Sequence, residues 1–473
     1  MRGLRASWIL LAGCAAASAP EPMQGAPIPP CATARNAFQV TLPPHPRAAD
    51  LLPGSPFGIN LALSPDAPHL DLRLDAMQQA GIKWGRQDFS WRRIEKAKGE
   101  YEFEPYDRLL ESITRRGILI FGDLTGAPTF HDPRTPEGIE AYCAFARAAV
   151  RRYAGKVDLW QIWNEPNGGL WKESPEKYGR LLAAAGKAIH EADPKAKVLA
   201  LNMAFCDTLW AEKVFKAAPW DAFDIVCFHP YRAMNAPEEP FDWWVLDQYV
   251  KADYWHKKDL TPDFPMVRMT FEQQTDELIK LMKTFGPPKP LWVTEICWNT
   301  DVHPYGVSEL RSADLLVRFY LTAIASGRIE KVFWWTLKDG GNLQFDKAQM
   351  VGLMRSGLEP KYSYYAYGVM TRMLEGKRWV RNDAWGPEIY AAVFTDDGAK
   401  EDTLVLWSPK DYAYVKVNNS EKGLAVTDLY GTRRTVTWDE RRTRNNTFPV
   451  GQSPIYVTGP QGLKATVRPD PGW

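Results

Sequence analysis

The chain has 473 residues, and its 58 Lys and Arg are balanced by 57 Asp and Glu. This length can bury a large core, and it suits one large α/β domain with a small companion domain. The balanced charge gives no indication of a nucleic acid or an anionic surface as partner, so a neutral ligand is expected. Trp, with 20 residues, occurs at roughly three times its ordinary share. Aromatic faces stack on the apolar faces of sugars, although these Trp residues could equally belong to a core.

The first residues have the layout of an export signal. Arg2 and Arg5 precede the apolar run "ASWILLAGC", which is too short to span a membrane as a helix. "LAGC", ending at Cys14, resembles the bacterial lipobox, in which the cysteine is lipidated; cleavage after "ASA" at residues 17–19 is the alternative. Residues 1–14 are therefore predicted to be a lipoprotein-type signal peptide, and residues 15–50 a Pro/Ala-rich tether.

By either route the protein is expected to be exported. With the lipid anchor it would be held at the outer membrane or cell envelope of a bacterium, and without it the location would be periplasmic or secreted. The anchor is the only membrane contact that the sequence predicts.

The six cysteines have no CxxC spacing, so the sequence predicts neither a zinc site nor a redox motif. Cys143, Cys206 and Cys227 lie in apolar patterns, where a small buried residue is the simplest interpretation. No particular disulfide is predicted.

From Phe57 onward, short apolar runs alternate with amphipathic helical segments. The strand candidates are "FGINLAL", "IKWGRQDF", "ILIFGDL", "VDLWQIWNEP", "KVLALNMAF", "FDIVCFHPY", "PLWVTEICW" and "KVFWWTLKD". Eight βα units with nearly continuous apolar strands indicate a parallel sheet covered on both sides, and eight is the number that closes a (β/α)₈ barrel. A doubly wound open sheet, the alternative, needs a Gly-rich turn after its first strand, and "FGINLALSPD" has none.

The predicted organisation is thus an α/β fold: a (β/α)₈ TIM barrel over residues 51–376 and an antiparallel β-sandwich over residues 377–473. Six short strand patterns separated by turn residues follow Gly376, as in a sandwich, and residues 37–42 are a candidate extra strand. Residues 232–270, after the sixth barrel strand, form an insertion longer than an ordinary βα loop. It carries the aromatic residues Trp243, Trp244, Tyr249, Tyr254 and Trp255.

Functional groups of (β/α)₈ enzymes come from the C-terminal ends of the strands. The polar and aromatic residues at these ends are Arg86 on the second strand, Asp123 on the third, Asn164 and Glu165 on the fourth, His229 and Tyr231 on the sixth, Glu295 on the seventh, and Trp334, Trp335 and Asp339 at the eighth. Two glutamates therefore face one mouth. A pair of carboxylates is the minimum apparatus for hydrolysing a glycosidic bond.

The remaining residues suit supporting roles around this pair. Arg86 is placed to keep Glu295 ionised, Asn164 to bind a sugar hydroxyl, and His229 or Tyr231 to orient a glutamate. A Trp at the end of the eighth strand would supply a stacking floor, and since Trp334 and Trp335 point to opposite sides, at least one is expected in the core. Each residue alone has an ordinary structural interpretation; for example, Arg86 could pair with Asp88. Their joint placement at successive strand ends favours chemistry.

Three motifs, "WNEPN", "FHPY" and "TEICW", resemble clan A of the glycoside hydrolases. The stretch "WGRQDFSWRRIEKAKGEYEFEPYDRLLESITRRGI" and the trailing sandwich are most similar to family 39, which includes β-xylosidases and bacterial exopolysaccharide endoglycosidases. The resemblance covers roughly residues 55–460 and implies that Glu165 is the acid/base and Glu295 the nucleophile of a retaining mechanism. The third strand has "FGDLTGAP" where some clan members have a His.

We therefore expect a retaining glycoside hydrolase that acts on a neutral β-linked saccharide as a monomer, with no metal, organic cofactor or nucleic-acid partner. Two alternatives stay open from the sequence. A transglycosylase would use the same residues with a sugar as acceptor, and a carbohydrate-binding lipoprotein would keep the barrel without its chemistry.

Overall fold

The structure is a computed structural model. It describes residues 54–168, 171, 173–241, 266–302, 306–341, 350–410, 412–418, 424–436 and 447–468, all within one compact unit, His45–Trp473. The signal peptide with Cys14, the tether of residues 15–50, the strand at 37–42 and the aromatic centre of the insertion lie outside the described residues and remain predictions. None of the described helices combines the length and the apolar composition that a membrane span requires.

The first part of the described chain is a closed barrel of eight parallel strands. Each strand pairs with its neighbours in the chain, and β8 pairs with β1 to close the ring. The strands are β1 Phe57–Asn60, β2 Trp84–Ser90, β3 Leu119–Thr125, β4 Leu159–Ile162, β5 Lys197–Ala204, β6 Ile225–His229, β7 Leu291–Ile296 and β8 Ile329–Trp334. The predicted (β/α)₈ barrel is confirmed.

A helix follows each barrel strand. The helices are α1 Leu70–Gln79, α2 Glu104–Thr114, α3 Pro136–Tyr153, α4 Pro175–Ala192, α5 Thr208–Ala217, α6 Phe271–Lys283, α7 Glu309–Ala325 and α8 Tyr362–Leu374. A helical turn, Trp91–Ile94, and a short hairpin of Glu95–Ala97 with Glu100–Tyr101 extend the connection between β2 and α2. A 3₁₀ turn, Trp220–Ala222, precedes β6.

Side-chain caps fix where several of the βα loops end. Five of the described helices begin at a residue whose oxygen accepts a backbone N–H of the first turn: Thr135, Ser174, Asp207, Thr270 and Ser308. Such caps satisfy helix N–H groups that otherwise lack a partner. Because these helix starts face the same end of the barrel as the strand ends, the caps hold the loops that surround the mouth.

An aromatic core fills the barrel below the mouth. Trp84, Phe121, Trp292 and Phe333 pack inside it together with aliphatic residues of neighbouring strands, and the Phe121 and Phe333 ring centroids are 4.9 Å apart. Since strand side chains alternate between two faces, the residue two positions beyond Trp84, Arg86, also points inward. This core therefore supports the layer of polar side chains directly above it.

The second part is an antiparallel β-sandwich, as predicted. Its described strands are β9 Arg378–Trp385, β10 Tyr390–Asp396, β11 Glu401–Trp407, β12 Ala413–Val417, β13 Leu424–Thr427, β14 Arg433–Val436, β15 Thr447–Val450, β16 Ile455–Pro460 and β17 Ala465–Arg468. One sheet has the order β9-β10-β11-β16-β13-β14 and the other β15-β12-β17. Val393 and Leu404 of the first sheet share an apolar core with Val415 of the second.

The sandwich holds three strands beyond the six that the sequence pattern predicts: β9, β15 and β17. All three lie at the edge of a sheet. Strand β9 has the sequence "RWVRNDAW", and most of its residues are half-buried. Its sequence lacks the apolar alternation by which a strand is recognised.

Two indole groups of the sandwich donate hydrogen bonds to carboxylates of the barrel. Trp407 Nε1 donates to Glu238 Oε1 at 2.6 Å, and Trp385 Nε1 donates to Glu272 Oε2 at 2.8 Å. Glu238 also forms an ion pair with Arg318 of α7 at 2.8 Å. The sandwich thus contacts the first residues of the insertion that follows β6.

The described cysteines, Cys143, Cys206, Cys227 and Cys297, are buried free thiols.

Candidate active site

The barrel mouth brings most of the predicted site residues into one hydrogen-bonded cluster. Arg86 comes from β2, Asp123 from β3, Glu165 from the exit of β4, His229 from the end of β6 and Glu295 from β7. These side chains are nearly or fully buried. Their contacts join residues that are far apart in the chain, and Arg86 and Glu295 are separated by 209 positions.

The backbone around Glu165 turns sharply where β4 ends. Trp163 has a φ of 63° and Glu165 a φ of 42°, a left-handed conformation that costs a non-glycine residue about 1–3 kcal/mol. Hydrogen bonds to Asn202 of β5 hold this turn, because Glu165 N donates to Asn202 O at 3.1 Å and Asn202 Nδ2 donates to Trp163 O at 3.2 Å. The strained turn directs the Glu165 side chain toward β6.

His229 connects Glu165 to β7. Its Nδ1 lies 2.9 Å from Glu165 Oε1, and its Nε2 lies 3.1 Å from Thr294 Oγ1. The ring is fully buried. Both ring nitrogens of His229 therefore have a hydrogen-bonding partner. This arrangement fixes the position of the Glu165 carboxyl group.

Glu295 is held on both of its oxygens. Arg86 donates to Oε1 and the Tyr231 hydroxyl donates to Oε2. Burial alone would raise the pKa of this carboxyl group, but the attraction of His229 and Arg86 and the Tyr231 hydrogen bond bring the pKa below its usual value. Burial and the nearby glutamates raise the pKa of Tyr231 well above that of a free phenol. Glu295 is therefore an ionised carboxylate held by a neutral phenol and a cation.

Arg86 is the hub of the cluster. Beyond Glu295, Nη1 donates to Asn60 Oδ1 at 2.9 Å, and Nη2 donates to Asp123 Oδ2 at 2.7 Å and Asn164 Oδ1 at 2.6 Å. Burial opposes the charge on Arg86, but Asp123, Glu295 and Asp88 raise its pKa. A buried cation of this kind is stable only with such partners.

Two of the residues predicted to bind substrate, Trp334 and Asp339, are not among the residues that line the cleft. Trp334 is fully buried, and its indole N–H donates to Val351 O at 3.1 Å. It points away from the barrel axis, since side chains alternate along β8. Asp339 is buried in an ion pair with Lys361 at 2.7 Å. Trp335, by contrast, is half-buried and lines the cleft.

Several residues of the site were missed by the sequence analysis. Asn60 ends β1 and is buried against Arg86, so the strand-end rule could have found it. Asp88 and Ser90 continue the inward face of β2 above Arg86 and line the cleft. Thr294 gives no signal in the sequence, because its hydrogen bond to His229 depends on how β6 and β7 pair.

An open cleft of about 890 Å³ starts at Glu295 and Trp335 and extends over the exits of β2 and β3. Tyr106, Trp163 and His131 belong to its wall. His131 stacks on Trp91, with ring centroids 5.1 Å apart, and its Nε2 lies 3.1 Å from the buried Glu95 carboxylate. The cleft is large enough for a ligand of several rings.

The spacing of Glu165, His229 and Glu295 also suits a metal ion, because one ligand atom from each lies within 4.8 Å of the others. His229, however, uses Nδ1 for Glu165 and Nε2 for Thr294. The trio therefore has hydrogen-bonding partners of its own and is built as a carboxylate pair with an orienting imidazole.

The comparisons with known proteins give the fold a context. A family model described as Beta-galactosidase, of glycoside hydrolase family 42, matches residues 66–134. No curated protein sequence matches the chain significantly.

Three solved structures share the architecture. A family 39 glycoside hydrolase from the gut symbiont Bacteroides cellulosilyticus WH2 is 22% identical, with a TM-score of 0.70 over 85% of this chain and 81% of that chain. A monomeric beta-xylosidase from Caulobacter crescentus CB15 is 15% identical, with a TM-score of 0.57 over 86% and 96%. A family 30 endoxylanase from Clostridium papyrosolvens C71 is 12% identical, with a TM-score of 0.55 over 85% and 96%. The structural neighbours are glycoside hydrolases, and the predicted resemblance to clan A is confirmed at the level of the fold.

Proposed function

We propose that this protein is a retaining glycoside hydrolase that cleaves β-linked bonds in a neutral oligo- or polysaccharide. The observation that carries the proposal is the spacing of the two glutamates: one oxygen of Glu165 lies within 4.8 Å of one oxygen of Glu295. Retaining enzymes place their carboxyl groups about 5–5.5 Å apart, whereas inverting enzymes need about 6.5–9.5 Å to admit a water molecule. The short separation favours direct attack by one carboxylate.

In the first step Glu295 attacks the anomeric carbon. Its lowered pKa keeps it ionised, and the hydrogen bonds from Arg86 and Tyr231 fix its oxygens. Glu165, oriented by His229, gives its proton to the departing glycosidic oxygen. The bond to the leaving sugar breaks, and a covalent glycosyl-enzyme forms on Glu295.

In the second step the roles of Glu165 reverse. As a carboxylate it takes a proton from water, the water oxygen attacks the anomeric carbon, and Glu295 leaves as a free carboxylate. Two displacements at one carbon restore the original configuration. Water is consumed and two sugar hydroxyls result, so the proposed reaction needs no other co-reactant.

The comparisons support a β-linked substrate. The matching family model is described as a Beta-galactosidase, and two structural neighbours are described as a beta-xylosidase and an endoxylanase. Half-buried Trp335 beside Glu295 in the cleft offers an aromatic face on which a sugar ring can stack.

The test is turnover of a panel of aryl β-glycosides and β-linked polysaccharides by the wild type and by Glu295→Ala. We expect the variant to lose activity by several orders of magnitude. Glu277→Ala, which removes a half-buried glutamate of α6 that does not line the cleft, should keep its activity. With Glu165→Ala, added azide should rescue turnover of an activated aryl glycoside and give a β-glycosyl azide. Equal turnover by the wild type and Glu295→Ala would end the assignment.

We also propose that the protein is exported and lipid-anchored at Cys14. The support is the "LAGC" sequence after a short apolar run. Metabolic labelling with a fatty acid tests this: Cys14→Ser should abolish the label and move the protein from the membrane to the soluble fraction. A cleaved, unlabelled wild-type protein would point instead to ordinary signal cleavage after residue 19.

A further inference from the structure

We propose that Asp88 binds two hydroxyl groups of the sugar that is transferred to Glu295, and so selects a sugar with a free pair of hydroxyls at that position. The inference rests on the proposed function, because it assigns a ligand within the cleft of a glycoside hydrolase. It concerns the choice of sugar rather than the chemistry of bond cleavage.

The position of Asp88 in β2 places its side chain in the cleft. Asp88 lies two residues beyond Arg86, so the two side chains share the inward face of the strand. In the register with β3 it is opposite Asp123, which belongs to the same polar layer. Asp88 is half-buried and lines the cleft.

The Asp88 carboxylate is close to charges but has no hydrogen-bond donor among the described residues. The attraction of Arg86 and the repulsion of Glu295 both act on it, yet the Nη1 and Nη2 atoms of Arg86 are directed at other oxygens, including those of Asp123 and Glu295. A partly desolvated carboxylate without donors is poorly stabilised. Burial and the charge of Glu295 accordingly raise the pKa of Asp88.

Two hydroxyl donors from a ligand would supply what Asp88 lacks. The two oxygens of a carboxylate can each accept a hydrogen bond, and bonds to an ionised acceptor are about twice as strong as neutral ones. The neighbouring wall adds polar groups suited to the same ligand, since the Ser90 backbone N–H donates to the Tyr106 hydroxyl at 3.2 Å and both residues line the cleft. A carboxylate or sulfate in place of these two hydroxyls would instead be repelled by Asp88.

The position of Asp88 relative to Glu295 indicates which sugar it contacts. Asp88 lies two residues beyond Arg86, which is hydrogen-bonded to Glu295, and Asp88 and Glu295 line the same cleft. It therefore lies on the side of the nucleophile, where the transferred sugar sits in the proposed mechanism.

The test compares the wild type, Asp88→Ala and Asp88→Asn on the best aryl β-glycoside and on its monodeoxy analogues. We expect Asp88→Ala to lower kcat/KM for the parent glycoside roughly 10- to 100-fold, as for lost hydrogen bonds to a charged group. Two of the deoxy analogues, those that lack the hydroxyls bound by Asp88, should be poor substrates of the wild type. In Asp88→Ala, loss of the same hydroxyls should lower kcat/KM little further. Asp66→Asn, which removes an exposed aspartate paired with Arg93, should discriminate as the wild type does.

Two results would overturn the inference. Equal deoxy penalties in the wild type and in both Asp88 variants would show that Asp88 does not contact the sugar hydroxyls. A wild-type preference for an amino-substituted analogue that Asp88→Asn abolishes would show that the ligand is an ammonium group. In either case turnover would still depend on Glu295, whereas failure of the proposed function would show as no Glu295-dependent turnover at all. Asp88→Asn keeps the shape of the side chain, so it guards against a folding defect in Asp88→Ala.

Discussion

Arg86 and Glu295 meet in a buried ion pair although they come from β2 and β7, which are separated in the barrel by β1 and β8. The guanidinium group crosses the mouth of the barrel to reach the carboxylate. It also contacts Asp123 and Asn164, so one side chain connects β2, β3, the exit of β4 and β7. The ionisation of Glu295 therefore depends on the closure of the barrel.

The first prediction concerns the pH dependence of catalysis. The attraction of Arg86 helps to lower the pKa of Glu295, and in the proposed mechanism Glu295 must be ionised to attack the anomeric carbon. In Arg86→Lys the directed hydrogen bond is weakened, so the pKa of Glu295 should rise and activity should be lost at a higher pH on the acid side of the profile. The measurement is kcat/KM of an aryl glycoside against pH. An acid limb identical to that of the wild type would contradict the role given to Arg86.

The second prediction concerns Tyr231. Tyr231→Phe removes the hydrogen bond to Glu295 Oε2 and keeps the ring, so kcat/KM should fall about 10- to 100-fold, as for a hydrogen bond to a charged group. The variant should fold normally. Tyr320→Phe, which removes a buried hydroxyl that donates to Gly58 O, is the matched control and should retain turnover. Comparable losses in both variants would mean that the effect of Tyr231 is structural.

The third prediction concerns the proposed acid catalysis by Glu165. His229 orients Glu165, so His229→Asn should weaken acid catalysis. Glycosides with poor leaving groups should then lose far more activity than dinitrophenyl glycosides, because only the former need protonation to depart. The measurement is the dependence of kcat/KM on leaving-group pKa, which should steepen in the variant. An unchanged slope would show that His229 does not act through Glu165.

The fourth prediction concerns the contact between barrel and sandwich. Glu238 accepts from Arg318 and Trp407 in a buried site. Glu238→Gln leaves the buried guanidinium of Arg318 without its counter-charge, and the expected destabilisation is about 3–5 kcal/mol. Trp407→Phe removes only one donor to a charged acceptor and should lower stability by about 1.5–3 kcal/mol. Urea midpoints measure both effects, and equal midpoints for Glu238→Gln and the wild type would contradict the prediction.

Much of the architecture could be predicted because it follows from local sequence patterns. Nearly continuous apolar runs such as "LWQIW" mark strands that are buried on both faces, and the polar residues that end them mark the mouth of the barrel. This rule found Arg86, Glu165 and Glu295 without knowledge of any contact. It also selected Trp334 and Asp339, which do not line the cleft, because position at a strand end does not say toward which side a side chain points or which partner neutralises it. The edge strand β9 was missed because its sequence lacks apolar alternation.

The sequence by itself determined that two glutamates and an arginine end strands of one closed sheet, since strand periodicity and the number of βα units are local properties of the chain. Only the tertiary structure decided that His229 orients Glu165, that Arg86 and Tyr231 hold Glu295, and that Asp88 remains without a hydrogen-bond donor among the described residues. These relations join residues far apart in the chain. They depend on the register and closure of the barrel, on the left-handed turn at Glu165, and on burial, which sets the ionisation of each carboxyl group.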